Sequence, residues 1–323
     1  VKILVYIVSE PVWTIPQAQV ERLQREFPQH TFLNAVSEDV ALAGIRDAHV
    51  AFSSMLSAEM VSEGRLLKWV HSPAAGVGRL LFPEMVKSAI RLTNSSGLHA
   101  IAIAEHVFGL AIALSRRFDR SAERQREHRW AKDEIGHVRV LYGHRLGIIG
   151  LGAIGSAVAR LGAAFGMHVV AVRRHGNAPV PDWVERVYPV EEMDTVLGTS
   201  DYVVLCVPLT PRTTGMIGAR ELALMKPDAF LINVARGKLV REDDLADAIR
   251  ERRIAGAGLD VFAHEPLDAA SPLWDLPDTI ITPHTSGFFE GYWEAVTDLF
   301  ADNLRRYDRG EPLRNVVDKQ AGY

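Results

Sequence analysis

The chain has 323 residues, 48% of them apolar and 24% charged, with a formal net charge of −4. That balance is ordinary for a globular protein and gives no support to nucleic acid or an anionic membrane surface as a partner. A single cysteine, Cys206, excludes an internal disulfide framework and suits a reducing, cytoplasmic setting, and no apolar run reaches the length of a membrane span.

Residues 2–8 read as a first strand rather than a signal peptide, since no small-residue cleavage pattern follows the apolar run. An amphipathic helix is expected over 15–27, a strand over 31–35, a helix over 41–45 and a strand over 48–53. A short helix at 58–64, a strand at 67–70, a helix at 82–89 and a strand at 90–93 continue the alternation. Such βα repetition implies a parallel sheet of its own. The small residues of SPAAGVG (72–78) follow one of these strands. Ligands collect at such strand ends in open α/β sheets, although a tight turn is the plainer use of the same residues.

Residues 101–114 form a helix so apolar that it must be buried. It is expected to run on into the charged stretch 116–129, with Trp130 anchoring its end. RLGIIGLGAIGSAVARLGAAFGMHVVAVRR (145–174) then reads as strand, tight turn, helix, strand, with Gly150, Gly152 and Gly155 in G-x-G-x-x-G spacing. The first glycine permits the turn, the second lets a pyrophosphate approach the backbone, and the third brings the helix against the sheet. The N–H groups that open the helix face the phosphates.

The second strand of this unit ends in Arg173 and Arg174, with His175 beside them. NAD-binding folds usually carry a carboxylate there for the ribose hydroxyls. A positive cluster suits the 2′-phosphate of NADP, so NADP(H) is expected ahead of NAD(H). A polar loop follows, then a short helix over 190–197. Strands at 202–207, 229–233, 256–261 and 279–282 alternate with helices at 219–224 and 242–251, and a long amphipathic helix covers 292–306. The fold class is therefore α/β, with two Rossmann-like or flavodoxin-like parallel-sheet domains. Residues 1–99 and 291–323 form one domain, onto which the closing helix packs back. Residues 100–290 form a doubly wound dinucleotide-binding domain of about six strands. Arg236, Glu265 and His284 each follow a strand of that second sheet, so topology alone lets all three face one crevice.

GLGAIG (150–155), LCVPLTPRTTGMI (205–217), LINVARGKLVREDDLADAI (231–249), AGAGLDVFAHEPL (255–267) and ITPHTSG (281–287) occur in this order. Together they resemble the D-isomer-specific 2-hydroxyacid dehydrogenase family. SSGLHAIAIAEH (95–106) is similar to that family's interdomain segment, with departures, and the resemblance spans nearly the whole chain. It implies reduction of a small 2-oxo acid to the D-2-hydroxy acid, a catalytic domain that holds both termini, and a homodimer built around the cofactor domains. The family's catalytic arginine, glutamate and histidine fall on Arg236, Glu265 and His284. Cofactor contacts fall on Gly150, Gly152, Ala153, Ile154, Gly155, Arg173, Arg174, Val207, Pro208, Thr213, Val234, Ala235, Asp260, His284, Ser286 and Gly287. Substrate contacts fall on Ala74, Ala75, Gly76, Val77, Arg236 and His284.

The residue types suit that chemistry. A guanidinium offers a fixed fork of donors to a carboxylate. An imidazolium gives a proton to the ketone oxygen as hydride reaches carbon. Glu265 holds the other ring nitrogen and favours the charged ring. Asp260 resembles a family aspartate near the nicotinamide, or else only satisfies backbone at a strand end. His71, His99 and His106 read as structural, with a place on the cleft wall as the alternative for His99. Cys206 reads as inert core, and no metal-ligand spacing is found. Phe288, Phe289, Tyr292 and Trp293 shape the substrate pocket or, more commonly for such residues, pack a helix. The rival functions are a formate- or phosphite-oxidising relative, whose formate branch carries glutamine where Glu265 stands, and a cofactor-sensing corepressor on the same scaffold.

Overall fold

The computed structural model describes residues 1–8, 13–174 and 179–322. The chain divides into two compact units, Val1–Leu98 with Phe289–Tyr323, and His99–Phe288.

In the first unit, β1 (Lys2–Val5), β2 (Thr31–Asn34), β3 (Val50–Phe52), β4 (Trp69–His71) and β5 (Arg91–Thr93) form a parallel sheet in the order β2-β1-β3-β4-β5. Helices α1 (Gln17–Glu26), α2 (Glu38–Ile45), α3 (Ala58–Glu63) and α4 (Pro83–Lys87) connect the strands. Ser37 and Ser57 cap α2 and α3, each accepting a backbone N–H three residues on. The strands are buried on both faces, so alternate residues feed different cores: Ile3 and Val5 one, Leu4 and Tyr6 the other. The C-terminal helix (Tyr292–Asp308) places Val296, Phe300 and Leu304 four residues apart on one face. Phe300 is fully buried and stacks on Phe52 at 4.3 Å and on Trp69 at 5.3 Å. The last residues add one antiparallel bridge, Thr93 to Val316, at the edge of this sheet.

In the second unit, α5 (Ala100–Arg116) is followed by α6 (Phe118–Arg126), β6 (Arg145–Ile149), α7 (Ala153–Ala164), β7 (His168–Val172) and β8 (Arg186–Tyr188). Then come α8 (Met193–Thr199), β9 (Tyr202–Leu205), α9 (Ala219–Leu224), β10 (Phe230–Asn233), α10 (Glu242–Arg250), β11 (Gly256–Leu259) and β12 (Thr279–Ile281). Seven parallel strands lie in the order β12-β11-β10-β9-β6-β7-β8. The chain runs outward from β6 in one direction, then returns to lay β9 on its other side. That reversal is the switch point at which doubly wound sheets bind ligands.

Four expectations need correction. The sheet has seven strands, because β8 forms where the sequence shows only a loop. At three residues on an edge it carries too little pattern to read. The apolar helix does not run on through 116–129. Arg117 takes φ 57° and ends α5, its guanidinium 2.6 Å from Asp278, and α6 beyond it buries no residue. Trp130 is 97% exposed and anchors nothing among the described residues. Residues 190–197 are also a 3₁₀ turn leading into α8 rather than one helix.

Candidate active site

The turn between β6 and α7 is built around backbone geometry that only glycine supplies. Gly150 has φ 106°, and a Cβ there would lie 2.7 Å from the Cys206 carbonyl oxygen. Beyond the turn, a Cβ on Gly155 would meet the Gly150 carbonyl at 2.0 Å, so the helix seats directly on its own turn. Gly152 caps α7 with open space on its Cβ side. The first turn of α7 carries no acidic side chain, so its unsatisfied N–H groups, starting at Ala153 and Ile154, are available to an anion. These residues fit a dinucleotide pyrophosphate.

Beyond β7, Arg173 gives its N–H to the Tyr188 carbonyl at the end of β8, and Arg174 is exposed. The unread strand β8 thus fixes the start of this basic pair. His175 lies outside the described residues. At the end of β9, Val207 and Pro208 lead into a turn closed by Thr213, whose hydroxyl donates to the Pro208 carbonyl at 2.7 Å and accepts from Thr210 N–H at 2.8 Å.

At the end of β10, Val234 and Ala235 are buried and Asn233 shapes the turn. Its amide donates to the Arg236 carbonyl at 3.0 Å and its oxygen accepts from Ala235 N–H at 3.2 Å. Sequence reasoning passed over Asn233, although an asparagine opening a turn is a recognisable signal. Arg236 emerges extended, its guanidinium solvent-accessible yet surrounded by enough protein that desolvation lowers its pKa, opposed by the nearby Glu265 carboxylate. Even so lowered, an arginine stays a cation at neutral pH.

Glu265 joins two turns. One oxygen accepts Phe262 N–H at 2.9 Å, and the other lies 2.7 Å from His284 Nδ1. That contact assigns the ring proton facing the carboxylate to Nδ1 and leaves Nε2 for chemistry. His284 is held at φ 55°, unusual for a residue with a Cβ, by its N–H bond to the Asp260 carbonyl at 2.8 Å. Its side chain keeps 46% of its exposure.

Of the two roles open to Asp260, the structure has the second, satisfying backbone at a strand end. It is fully buried and offers no surface to a cofactor. Oδ1 accepts the Thr282 hydroxyl at 2.6 Å and Thr285 N–H at 2.9 Å, and Oδ2 accepts Ser286 N–H at 3.0 Å. Asp260 therefore holds the 282–286 turn in which His284 stands. Ser286 is itself buried. The Gly287 carbonyl faces His99 Nδ1 at 3.0 Å. His106 Nε2 donates to the Thr282 hydroxyl at 2.9 Å. Burial lowers the pKa of both histidines; the Gly287 bond opposes this at His99 while Arg236 adds to it, and Asp260 opposes it at His106. Both are neutral at pH 7. Burial pushes the Cys206 thiol up to about 12, leaving it inert. Ala74, Ala75, Gly76 and Val77 follow β4 in the first unit. Phe289, Tyr292 and Trp293 pack in the core of that unit, around its C-terminal helix.

A dinucleotide turn and a histidine–glutamate pair at the same strand ends narrow the families to be considered. The family model for the D-isomer specific 2-hydroxyacid dehydrogenase NAD binding domain matches residues 108–286. The chain belongs to this family. A glyoxylate reductase of Thermococcus gammatolerans is 35% identical over 306 residues, 92% of this chain and 88% of the relative. A D-isomer specific 2-hydroxyacid dehydrogenase of Xanthobacter autotrophicus Py2, solved with NADPH and MES, superposes with a TM-score of 0.86 at 29% identity, covering 100% of this chain and 99% of that one. An NADPH-dependent glyoxylate/hydroxypyruvate reductase of Sinorhizobium meliloti, solved with NADP and sulfate, gives 0.85 at 25% identity over 100% and 99% of the two chains. As a member of this dehydrogenase family, the protein is an oxidoreductase that moves hydride between a nicotinamide cofactor and a 2-oxo/D-2-hydroxy acid pair. Among the described residues, no helix is long and apolar enough to cross a membrane.

Proposed function

We propose that this dehydrogenase reduces a small 2-oxo acid of the glyoxylate or hydroxypyruvate type with NADPH. The observation that carries this reading is the 2.7 Å contact between His284 Nδ1 and Glu265, with Arg236 on the neighbouring turn. When bound, the nicotinamide supplies the hydride to the keto carbon. His284 gives the proton from Nε2 to the keto oxygen, so the carbonyl becomes a hydroxyl with no net charge left on oxygen. Glu265 keeps the ring turned and compensates the imidazolium. Arg236 takes the substrate carboxylate as a fork of donors. In the reverse direction, neutral His284 accepts the hydroxyl proton.

Arg173 and Arg174 support NADPH over NADH, because two guanidinium groups match a phosphomonoester and the sequence directly after β7 holds no Asp or Glu of the kind a ribose diol needs. The relatives solved with NADPH or NADP agree with this choice. A single cysteine, too few for an internal disulfide, suits a reducing compartment, and we assign the enzyme to the cytoplasm. Trp130, Tyr142 and Phe118 stand exposed on the second unit, and we assign them to a homodimer contact, to be checked by sedimentation. The central test is initial rates on glyoxylate, hydroxypyruvate and pyruvate with each cofactor. Sustained NADPH oxidation with at least one acid is expected. Cofactor binding without turnover on any acid would refute the reading.

A further inference from the structure

The turn that carries Glu265 is held without a backbone ladder. Among the described residues, 262–265 make no backbone–backbone hydrogen bond. Two of their N–H groups go to carboxylates instead. Phe262 N–H donates to Glu265 Oε1 at 2.9 Å, inside the turn itself. Ala263 N–H donates to Glu242 Oε1 at 2.7 Å, across to the start of α10. Glu242 therefore stands on the same β10–α10 connection as Arg236. Apart from the contact of Glu265 with His284, its bond is the one hydrogen bond that ties the 262–265 turn to other parts of the second unit among the described residues.

The two turns also meet with no side chain between them. Gly237 follows Arg236 and is buried, and a Cβ there would overlap the Phe262 carbonyl group and the Ala263 nitrogen. The backbone after Arg236 thus lies directly on the backbone before Glu265. On the outer side a cleft of about 670 Å³, lined by Lys238, Glu242, Ala263 and His264 among others, opens to solvent. No packed side chain presses the turn home from that direction. Contact at Gly237 limits how near the turns come, and the Glu242 bond stops them from parting.

We propose that Glu242 is a positioning residue for the reduction: by holding Ala263 N–H it keeps the Glu265 carboxylate against His284 Nδ1 and beside Arg236. Its catalytic consequence rests on the reductase reading above. Reach is the property required. Glutamine has the same length and a neutral acceptor oxygen, whereas aspartate keeps the charge and is one methylene shorter.

The test compares Glu242→Gln, Glu242→Asp and Glu242→Ala with wild type. ¹⁵N NMR of the neutral histidine rings reads whether His284 carries its proton on Nδ1, the signal being assigned by its loss in His284→Ala. Steady-state rates on glyoxylate and hydroxypyruvate with NADPH read the consequence. Glu242→Gln is expected to keep the Nδ1–H ring and a kcat within about threefold of wild type, since a neutral acceptor preserves most of the bond. Glu242→Asp and Glu242→Ala are expected to show a mixture of ring tautomers and a kcat lower by roughly 10-fold, as a displacement of well under about 1 Å would give. KM for NADPH should stay within about twofold, because the glycine turn at 150–155 is untouched. A folded Glu242→Ala enzyme with the wild-type tautomer and kcat would overturn the proposal, and so would a lower Tm with neither change, the mark of a merely structural residue. Glu242→Asp behaving as wild type would also overturn it, since charge at the helix start would then suffice. A wild type that shows the Nδ1–H ring but reduces no 2-oxo acid would overturn the reductase reading alone, and the tautomer comparison would still decide the role of Glu242.

Discussion

Asp260→Asn tests whether the turn bearing His284 is held from beneath by one carboxylate. Asp260 is fully buried, and its two oxygens accept three donors at 2.6, 2.9 and 3.0 Å. Asparagine keeps one oxygen. If that oxygen stays with Thr282 and Thr285, the new NH₂ faces Ser286 N–H, donor against donor. Losing a buried bond to a charged acceptor costs about 1.5–3 kcal/mol, and the remaining two bonds weaken as their acceptor becomes neutral. The total is about 3 kcal/mol. For a unit of this size it corresponds to a fall in Tm of about 6–12 °C. Turnover should fall with it, because His284 takes its φ of 55° partly from its bond to the Asp260 backbone. Thr282→Val removes a single donor and should cost about 1 kcal/mol. Differential scanning calorimetry alongside steady-state rates reads both effects. An Asp260→Asn enzyme that melts within a degree of wild type at full turnover would show that the carboxylate does not hold the turn.

His284→Ala should reduce turnover by about 10²–10⁴-fold with NADPH affinity largely retained, measured by fluorescence titration; near-wild-type rates would remove the proton-transfer role. Replacing Arg173 and Arg174 together by serine should raise KM for NADPH by about 10- to 100-fold, on the scale of charge-assisted bonds to a phosphate, and leave that for NADH within about threefold; a parallel change in both would refute 2′-phosphate recognition. His71 supplies a pH prediction. Burial pushes it down from 6.5 to about 3, so the folded state keeps it neutral while the unfolded chain protonates it below pH 6.5. Stability is therefore full above pH 6.5 and lost progressively between 6.5 and about 3, with about 2 kcal/mol gone by pH 5 from this residue alone. Urea midpoints at pH 7 and 5 measure it, and a His71→Asn variant should show a shallower slope; an identical slope would sink the assignment.

The dinucleotide unit was legible because its signals are local. A turn that demands glycine announces itself in G-x-G-x-x-G, and buried parallel strands such as 202–205 and 230–233 are continuous apolar runs. Arg236, Glu265 and His284 could be nominated because parallel topology sends every strand end to the same edge. The groups that hold them were not legible, since their partners are far apart in sequence. Nothing near Asp260 reveals that residues 282, 285 and 286 will donate to it, and nothing near Glu242 reveals an N–H at 263. The strand at 186–188 and the break at Arg117 escaped notice for a different reason. Each is decided by one tertiary partner, the neighbouring β7 and Asp278, against weak local preference.

The stacking of Phe300 between Phe52 and Trp69 also sets an order of events during synthesis. The ribosome delivers those two aromatic residues about 230 residues before the ring that covers them, a delay of about 10–50 s at ordinary elongation rates. Throughout that interval the early strands carry an uncovered oily face, while the intervening unit already has every strand of its own sheet in continuous sequence. A nascent chain of this kind finishes its middle before its beginning, so its opening segment is where a chaperone would be met first.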